Sequence, residues 1–258
     1  MSFNLKEMNK LTIILIFILG YVNCGYCQLK SAEINYKVRV ERKLDTSTTR
    51  KKELNKILDL VYEEVNFIEM VLKVNNGKTS FNIIEAMDID DNKKKFFRQR
   101  AIGLAGLSST FFADLNNSNI IRVREFDGRN YNITSTFDHF NWKLTKESKI
   151  INKRLCYKAI TIKSFKSYKG NIVDVPIFAW YTPEIPLQIG PKNYFGLPGL
   201  VLEVKEGSKT YYVTNILLNP ENKVVIDIPK KGEVVTEDEY ANIISGATQN
   251  WIDSNSNN

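Results

Sequence analysis

The sequence predicts a mainly β protein of the α+β type: a curved antiparallel sheet with one N-terminal amphipathic helix and a short irregular or helical excursion. Two observations carry this. From residue 110 onward, short segments rich in β-branched and aromatic residues follow one another at close spacing, separated by turn-forming pairs. Before that point only one stretch keeps a clear helical period. With 258 residues, 43% of them hydrophobic and 25% charged, the chain can bury a sizeable core and does not have the composition of a disordered protein.

The first 27 residues read as an export signal. Lys6 and Lys10 precede the apolar run 11–20, LTIILIFILG, and a short polar stretch, YVNCGYC, follows. That is the order of a secretory leader, and the run is shorter than the roughly 20 residues a bilayer span needs. Gly25 and Cys27 place the expected cut before Gln28, and Met8 offers a tidier start. Cys24 and Cys27 also sit at the depth of a lipid-attachment site, but neither has the aliphatic residue at −3 and small residue at −1 that lipidation prefers. After cleavage no transmembrane span is expected and Cys156 is the only cysteine, which precludes an internal disulfide. The expected location is exported: periplasm, outer-envelope associated or secreted. The net charge of +7 then points to lipid headgroups, cell-wall polymers or an acidic partner, and away from nucleic acid.

A single globular domain is expected over 28–249, with a flexible tail over 250–258. Residues 34–40, INYKVRV, alternate as a strand. Leu54, Ile57, Leu58, Val61 and Val65 fall on one face of a helix over about 50–65. Segments 67–74 and 78–84 flank Asn75-Asn76-Gly77, a hairpin turn. Residues 87–109 give the irregular or partly helical excursion. Strands follow at 110–115, 120–126, 131–136, 142–145, 156–164 and 177–181, with Asp127-Gly128 turning a hairpin. A meander over 200–205, 211–218 and 224–228 ends the sheet.

All seven prolines lie between Pro176 and Pro229. Pro183 is followed by three more, with three glycines, in residues 184–199, EIPLQIGPKNYFGLPG. This is neither regular helix nor central strand but a stiff, shaped loop. Leu197-Pro198-Gly199-Leu200 has the residue order of a type II turn. Two readings stand for the loop: a rigid connector between strands, or a preorganised binding edge built from Trp180, Tyr181, Tyr194 and Phe195.

The segment 179–186, AWYTPEIP, then Gly190-Pro191, then 195–203, FGLPGLVLE, closely resembles the signature of the GLPGLI family, exported proteins of the Bacteroidetes. Upstream, Trp142-Lys143-Leu144-Thr145 and 153–159, KRLCYKA, are similar to the segment leading into that signature, as are the first strand and the hairpin near Ser80-Phe81. Val201 stands where the family name has Ile. The resemblance implies export to a Gram-negative envelope, a sheet somewhat like that of envelope carriers of lipid or acyl chains, and no defined biochemical function. It supplies no catalytic residues.

A search for chemistry finds little. Asp88, Asp90 and Asn92 match the start of a calcium loop, but Lys93 replaces its glycine and Gln99 its final glutamate. The single histidine, His139, lies between Asp138 and Phe140 without a nucleophile elbow. No phosphate loop or nucleotide fingerprint is present. No catalytic residue, metal ligand or cofactor is therefore assigned. The candidate binding or motif residues are Trp180, Tyr181, Glu184, Tyr194, Phe195, Gly196, Leu197, Pro198, Gly199 and Glu203. In LVLEV, Leu200, Leu202 and Val204 are expected on one face, Val201 and Glu203 on the other. The expected function is a non-catalytic exported binding or envelope-assembly protein, holding an apolar ligand, an envelope protein, lipid or glycan. The alternatives are a hydrolase using Glu184 and Glu203 as paired carboxylates, and a structural surface protein.

Overall fold

Period-two alternation in the first strand divides its residues cleanly between two environments. In the computed structural model, which describes residues 29–42, 49–85, 91–137, 140–166, 171–192, 194–229 and 231–256, Ala32, Ile34, Tyr36 and Val38 of β1 (Ser31–Val40) are buried, and Glu33, Asn35 and Lys37 between them stay partly exposed. This strand is one of twelve that form a single open sheet among the described residues. The others are β2 (Glu69–Asn75), β3 (Lys78–Ile83), β4 (Thr110–Asp114), β5 (Asn119–Phe126), β6 (Arg129–Thr136), β7 (Lys143–Ile151), β8 (Arg154–Lys166), β9 (Ile172–Thr182), β10 (Leu200–Glu206), β11 (Lys209–Leu218) and β12 (Glu233–Thr236). Their order is β12-β6-β5-β4-β3-β2-β1-β11-β10-β9-β8-β7. Neighbours are antiparallel except β12, which runs parallel to β6. The fold class is mainly β, as the sequence predicts.

Among the described residues three helices accompany the sheet: α1 (Thr49–Asn66), α2 (Asn92–Leu104) and α3 (Glu237–Ser256). The face carrying Ile34, Tyr36, Leu72, Phe81 and Phe111 is covered by the second half of α1, the C-terminal end of α2 and residues 183–199, which share one apolar core with it. Towards β12 the same face carries Tyr131, Ile133 and Val235, which pack with Tyr240 of α3. Arg122 of β5 holds this helix by pairing with Glu237 at 2.5 Å.

The Asn76-Gly77 and Asp127-Gly128 hairpin turns fold as predicted. Asn76 and Gly77 (φ 49° and 78°), and Asp127 and Gly128 (51° and 71°), have the paired positive φ that two-residue hairpins between right-twisted strands require. Asn152-Lys153 makes the same turn at 48° and 62° without a glycine, so β7 runs on to Ile151, well past the predicted end at 145. Strand β9 begins earlier than expected, at Ile172. Its Pro176 pairs with Ile162 of β8 but lies beyond Glu206, where pairing with β10 ends at Ile177. Its missing N–H therefore interrupts no second ladder.

Three expectations are corrected. The α1 stripe is only half used: Val61 and Val65 are buried, whereas Leu54 and Ile57 are about half exposed (53% and 51%). Residues 224–228 do not form a strand; they belong to an extended crossing between β11 and β12, fixed where the Asn75 side chain donates to the Val224 carbonyl at 2.8 Å. Residues 237–256 form a helix that the sequence did not suggest, and it takes in residues 250–256 of the segment read as a tail. The leader, His139 and the Asp88–Asp90 pair lie outside the described residues. Among the described residues no helix is long and apolar enough to cross a membrane.

Candidate functional site

The proline–glycine segment between β9 and β10 folds back on itself and onto the sheet. Pro186 and Pro198 each centre a three-residue turn: the Leu187 N–H donates to the Ile185 carbonyl and the Gly199 N–H to the Leu197 carbonyl, both at 2.8 Å. The expected type II turn at 197–200 is absent, because the Leu200 N–H donates instead to Ile185 at 3.0 Å and Gly199 has a φ of 150°. The Val201 N–H donates to Ile189 at 2.9 Å and the Gly196 N–H to Gln188 at 3.3 Å, tying the two arms together. An alternating pattern then buries Ile185, Leu187 and Ile189 and leaves Pro183, Pro186 and Gln188 exposed.

Gly199 makes this fold-back possible. A Cβ placed on it would lie 2.1 Å from the Thr182 carbonyl oxygen and 2.9 Å from Pro183 Cα, so the backbone passes where no other residue fits. Immediately after it the strand is irregular: the register of β10 against β9 shifts between Val201 and Glu203. This bulge corrects the predicted faces. Val201 stands opposite Tyr181 and Glu203 opposite Trp180, and Leu200, Val201 and Leu202 are all fully buried. The Tyr36 hydroxyl donates to the Val201 carbonyl at 2.7 Å inside the core.

The loop aromatics face inward. Tyr194 and Phe195 are 1% and 2% exposed and Leu197 is fully buried, whereas Gly196 and Pro198 are exposed. Phe195 stacks on Phe137 with ring centroids 4.6 Å apart, Phe140 lies 5.4 Å from Tyr194, and the Trp142 indole N–H donates to the Phe195 carbonyl at 2.7 Å. Tyr181 is buried and Trp180 half-buried on the other face. The binding-edge set is thus divided, and most of it is core.

Beneath the loop lies a charged cluster that the sequence reading missed. The Lys192 ammonium, buried, donates to Glu206 Oε2 at 3.0 Å and to the Tyr211 hydroxyl at 3.3 Å; that hydroxyl donates to the Ala105 carbonyl at 2.7 Å, linking loop, sheet and α2. Lys163 meets the other Glu206 oxygen at 3.3 Å. Burial is the largest single influence on the Glu206 carboxyl and would raise its pKa. The two lysines and the hydrogen bonds together outweigh it and hold the group at about 2. Burial, with the Glu206 charge, pushes the Tyr194 phenol well up. Its hydroxyl points into this cluster without completing a hydrogen bond of good geometry. A lysine between Pro191 and the Tyr194-Phe195 pair was the available signal.

The two glutamates proposed as a pair have separate partners. Glu184 accepts from Arg154 at 3.2 Å and from the Leu155 N–H at 3.1 Å. Glu203 accepts from Lys149 at 2.7 Å, and the same ammonium sits 4.3 Å from the centre of the Trp180 ring. Cys156 is fully buried, with its thiol pushed up to about 11 chiefly by desolvation. Among the described residues no cluster of three or more His, Cys, Asp or Glu side chains could hold a metal.

An open groove of about 1080 Å³ occupies the opposite face of the sheet. Glu33, Lys73, Asn82 and Glu125 line its floor, Lys95 and Arg98 of α2 form one wall, and Val225 and Asp227 of the crossing segment form another. The floor residues are those the strand period turns away from the core, so the loop and the groove occupy opposite faces.

A family described as "Protein of unknown function (Porph_ging)" matches residues 168–203, the segment ending in the bulge. No curated protein matches the chain. Among solved structures, PNGF-II in a P21 crystal aligns with a TM-score of 0.51 at 15% identity, over 83% of this chain and 33% of that chain. PNGF-II in a C2 crystal gives 0.47 at 14% identity, over 84% and 32%. The chain thus spans about a third of those structures, and the likeness is one of β-rich fold alone.

Two outcomes follow for the loop. Gly199→Ala should lower stability by about 3 kcal/mol or more, through backbone strain and the clash with Thr182, whereas Glu203→Gln, which loses one partly exposed ion pair, should cost under about 1 kcal/mol; thermal melts check both. Glu206 sets a pH dependence. Its folded pKa of about 2 lies below the ordinary 4.5, so its stabilisation is present above pH 4.5 and is lost as the pH falls towards 2. Denaturant titrations across that range should show Glu206→Gln with a flatter loss of stability than the parent protein.

Proposed function

We propose that this chain is an exported binding or envelope-assembly protein of the GLPGLI type, acting without catalysis, in which the proline–glycine loop is scaffold and the groove on the opposite face is the binding surface. The observation that carries the reading is the division of roles between the faces. Tyr194 and Phe195 of the signature lie in the core, while the groove presents charged and amide side chains beside apolar ones such as Val71, Ile102, Phe112 and Val123 on a floor of paired strands. Such a mixed lining suits an occupant with both polar and apolar parts, such as an extended peptide segment of an envelope protein or a glycan offering polar edges and apolar ring faces. Export to a Gram-negative envelope rests on the leader pattern and on the GLPGLI resemblance, with which the family match at 168–203 is compatible. Glu184 and Glu203, the carboxylates of the alternative hydrolase reading, pair with separate bases, Arg154 and Lys149.

Native mass spectrometry of protein isolated from its own envelope tests the proposal. The parent chain should carry a bound mass. Asn82→Trp, which places a large ring in the groove, should release it while melting normally, and Glu203→Gln should keep it. A bound mass that survives Asn82→Trp and disappears with Glu203→Gln would move the site to the loop face.

A further inference from the structure

Helix α2 carries Lys93, Lys94, Lys95, Arg98 and Arg100 and no acidic residue between Asn92 and Leu104. Three of these cations stand in its first turn, where the positive end of the helix dipole makes them unfavourable. Asp91 caps the helix by accepting from the Lys93 N–H at 2.8 Å, but among the described residues no carboxylate lies in ion-pair range of the Lys93, Lys94, Lys95 or Arg98 side chains. What sets α2 apart is density: five cations within eight residues and no acidic residue in the helix.

Apolar side chains accompany them. Phe97 is half-buried against the core, but its neighbour Phe96 is 44% exposed. Phe96 shares a helix face with Lys93 and Arg100, three and four residues away, and the Arg100 guanidinium lies 3.2 Å from its ring centre. Helix α1 packs against α2. Both bury their C-terminal halves, at Val61 and Val65 and at Ala101 and Ala105, and the first turns of α1 leave Leu54 and Ile57 uncovered.

We propose that this helix pair is a docking face for an anionic lipid surface, with the α2 cations at the headgroups and Phe96, Leu54 and Ile57 entering the interface. An aromatic tip flanked by cations on a surface helix is the arrangement that interfacial binding uses. Lys95 and Arg98 belong to the wall of the groove, whereas Lys93, Lys94, Phe96 and Arg100 are exposed outside it. An exposed ring among these cations suits a headgroup layer, which an apolar side chain can enter, better than the carboxylates of an acidic protein.

The test is co-sedimentation of the full chain with vesicles of phosphatidylcholine alone and of phosphatidylcholine with added phosphatidylglycerol. Binding should require the anionic lipid and weaken as salt rises. A leader that remained attached would add Lys6 and Lys10 to the anionic preference, so the helix pair is reported by the part of that preference that the α2 variants remove. Lys93→Glu with Lys94→Glu should weaken that difference at least about tenfold, and Phe96→Ala, which keeps every charge, should weaken it several-fold; all these side chains are exposed, and melting should be unchanged. Equal binding to both vesicle types that neither variant alters would overturn the proposal. So would capture on polyglutamate beads as strong as on anionic vesicles and indifferent to Phe96→Ala, which would indicate an acidic polymer or protein instead.

Discussion

The passage of Gly199 against the Thr182 carbonyl is the constraint on which the loop side of the sheet depends. At that point β9 has just ended and β10 is about to begin beside it, yet seventeen residues must be housed between them. Because Gly199 has no Cβ, its backbone can lie against the end of β9, and the intervening chain is pushed onto the sheet face instead of out into water. Pro186 and Pro198 fix the three-residue turns that make this route stiff. The bulge after Gly199 then lets Leu200, Val201 and Leu202 all be buried, which a regular strand with two distinct faces would not allow.

The consequences extend outward from that seat. Once the loop lies on the sheet, Tyr194, Phe195 and Leu197 complete a core with Tyr36, Phe81 and the inner halves of α1 and α2. Lys192 is carried below the surface, where Glu206 and Tyr211 must meet it. A buried ammonium without such partners would be strongly destabilising, so the cluster links the loop, β10, β11 and, through the Ala105 carbonyl, the end of α2. The face filled in this way has little room for a ligand. The opposite face, with its mixed polar and apolar floor, carries the open groove.

Much of the scaffold was legible in the sequence because its signals are local. Alternation in residues 34–40, the helical period ending at Val65 and the Asn76-Gly77 and Asp127-Gly128 turns each act within a few residues. The failures have equally physical causes. Asn152-Lys153 turns with positive φ in two residues that seldom signal it. The run Leu200-Val201-Leu202 is apolar throughout, so a strict alternation and a bulge read alike until the partner strand is known. Residues 237–256 contain glycine, serine and asparagine at positions that weaken any helical signal; their helix is held by Arg122 and by Tyr240 against Tyr131, contacts over a hundred residues apart in the chain. The loop aromatics were visible as a group, but whether they face water or core depends on which face of the sheet the loop meets. Nothing in residues 184–199 alone decides that.

The central claim is that the proline–glycine loop is structural core, and hydrogen–deuterium exchange tests it most directly. The Leu200 and Val201 amides donate to Ile185 and Ile189 across the loop. If the loop is part of the core, both should exchange only through global unfolding, with the same protection as Leu72 in the middle of the sheet. Exchange at these amides by a local opening, several kcal/mol easier than unfolding while Leu72 stays protected, would contradict the account and mark the loop as a separately moving element.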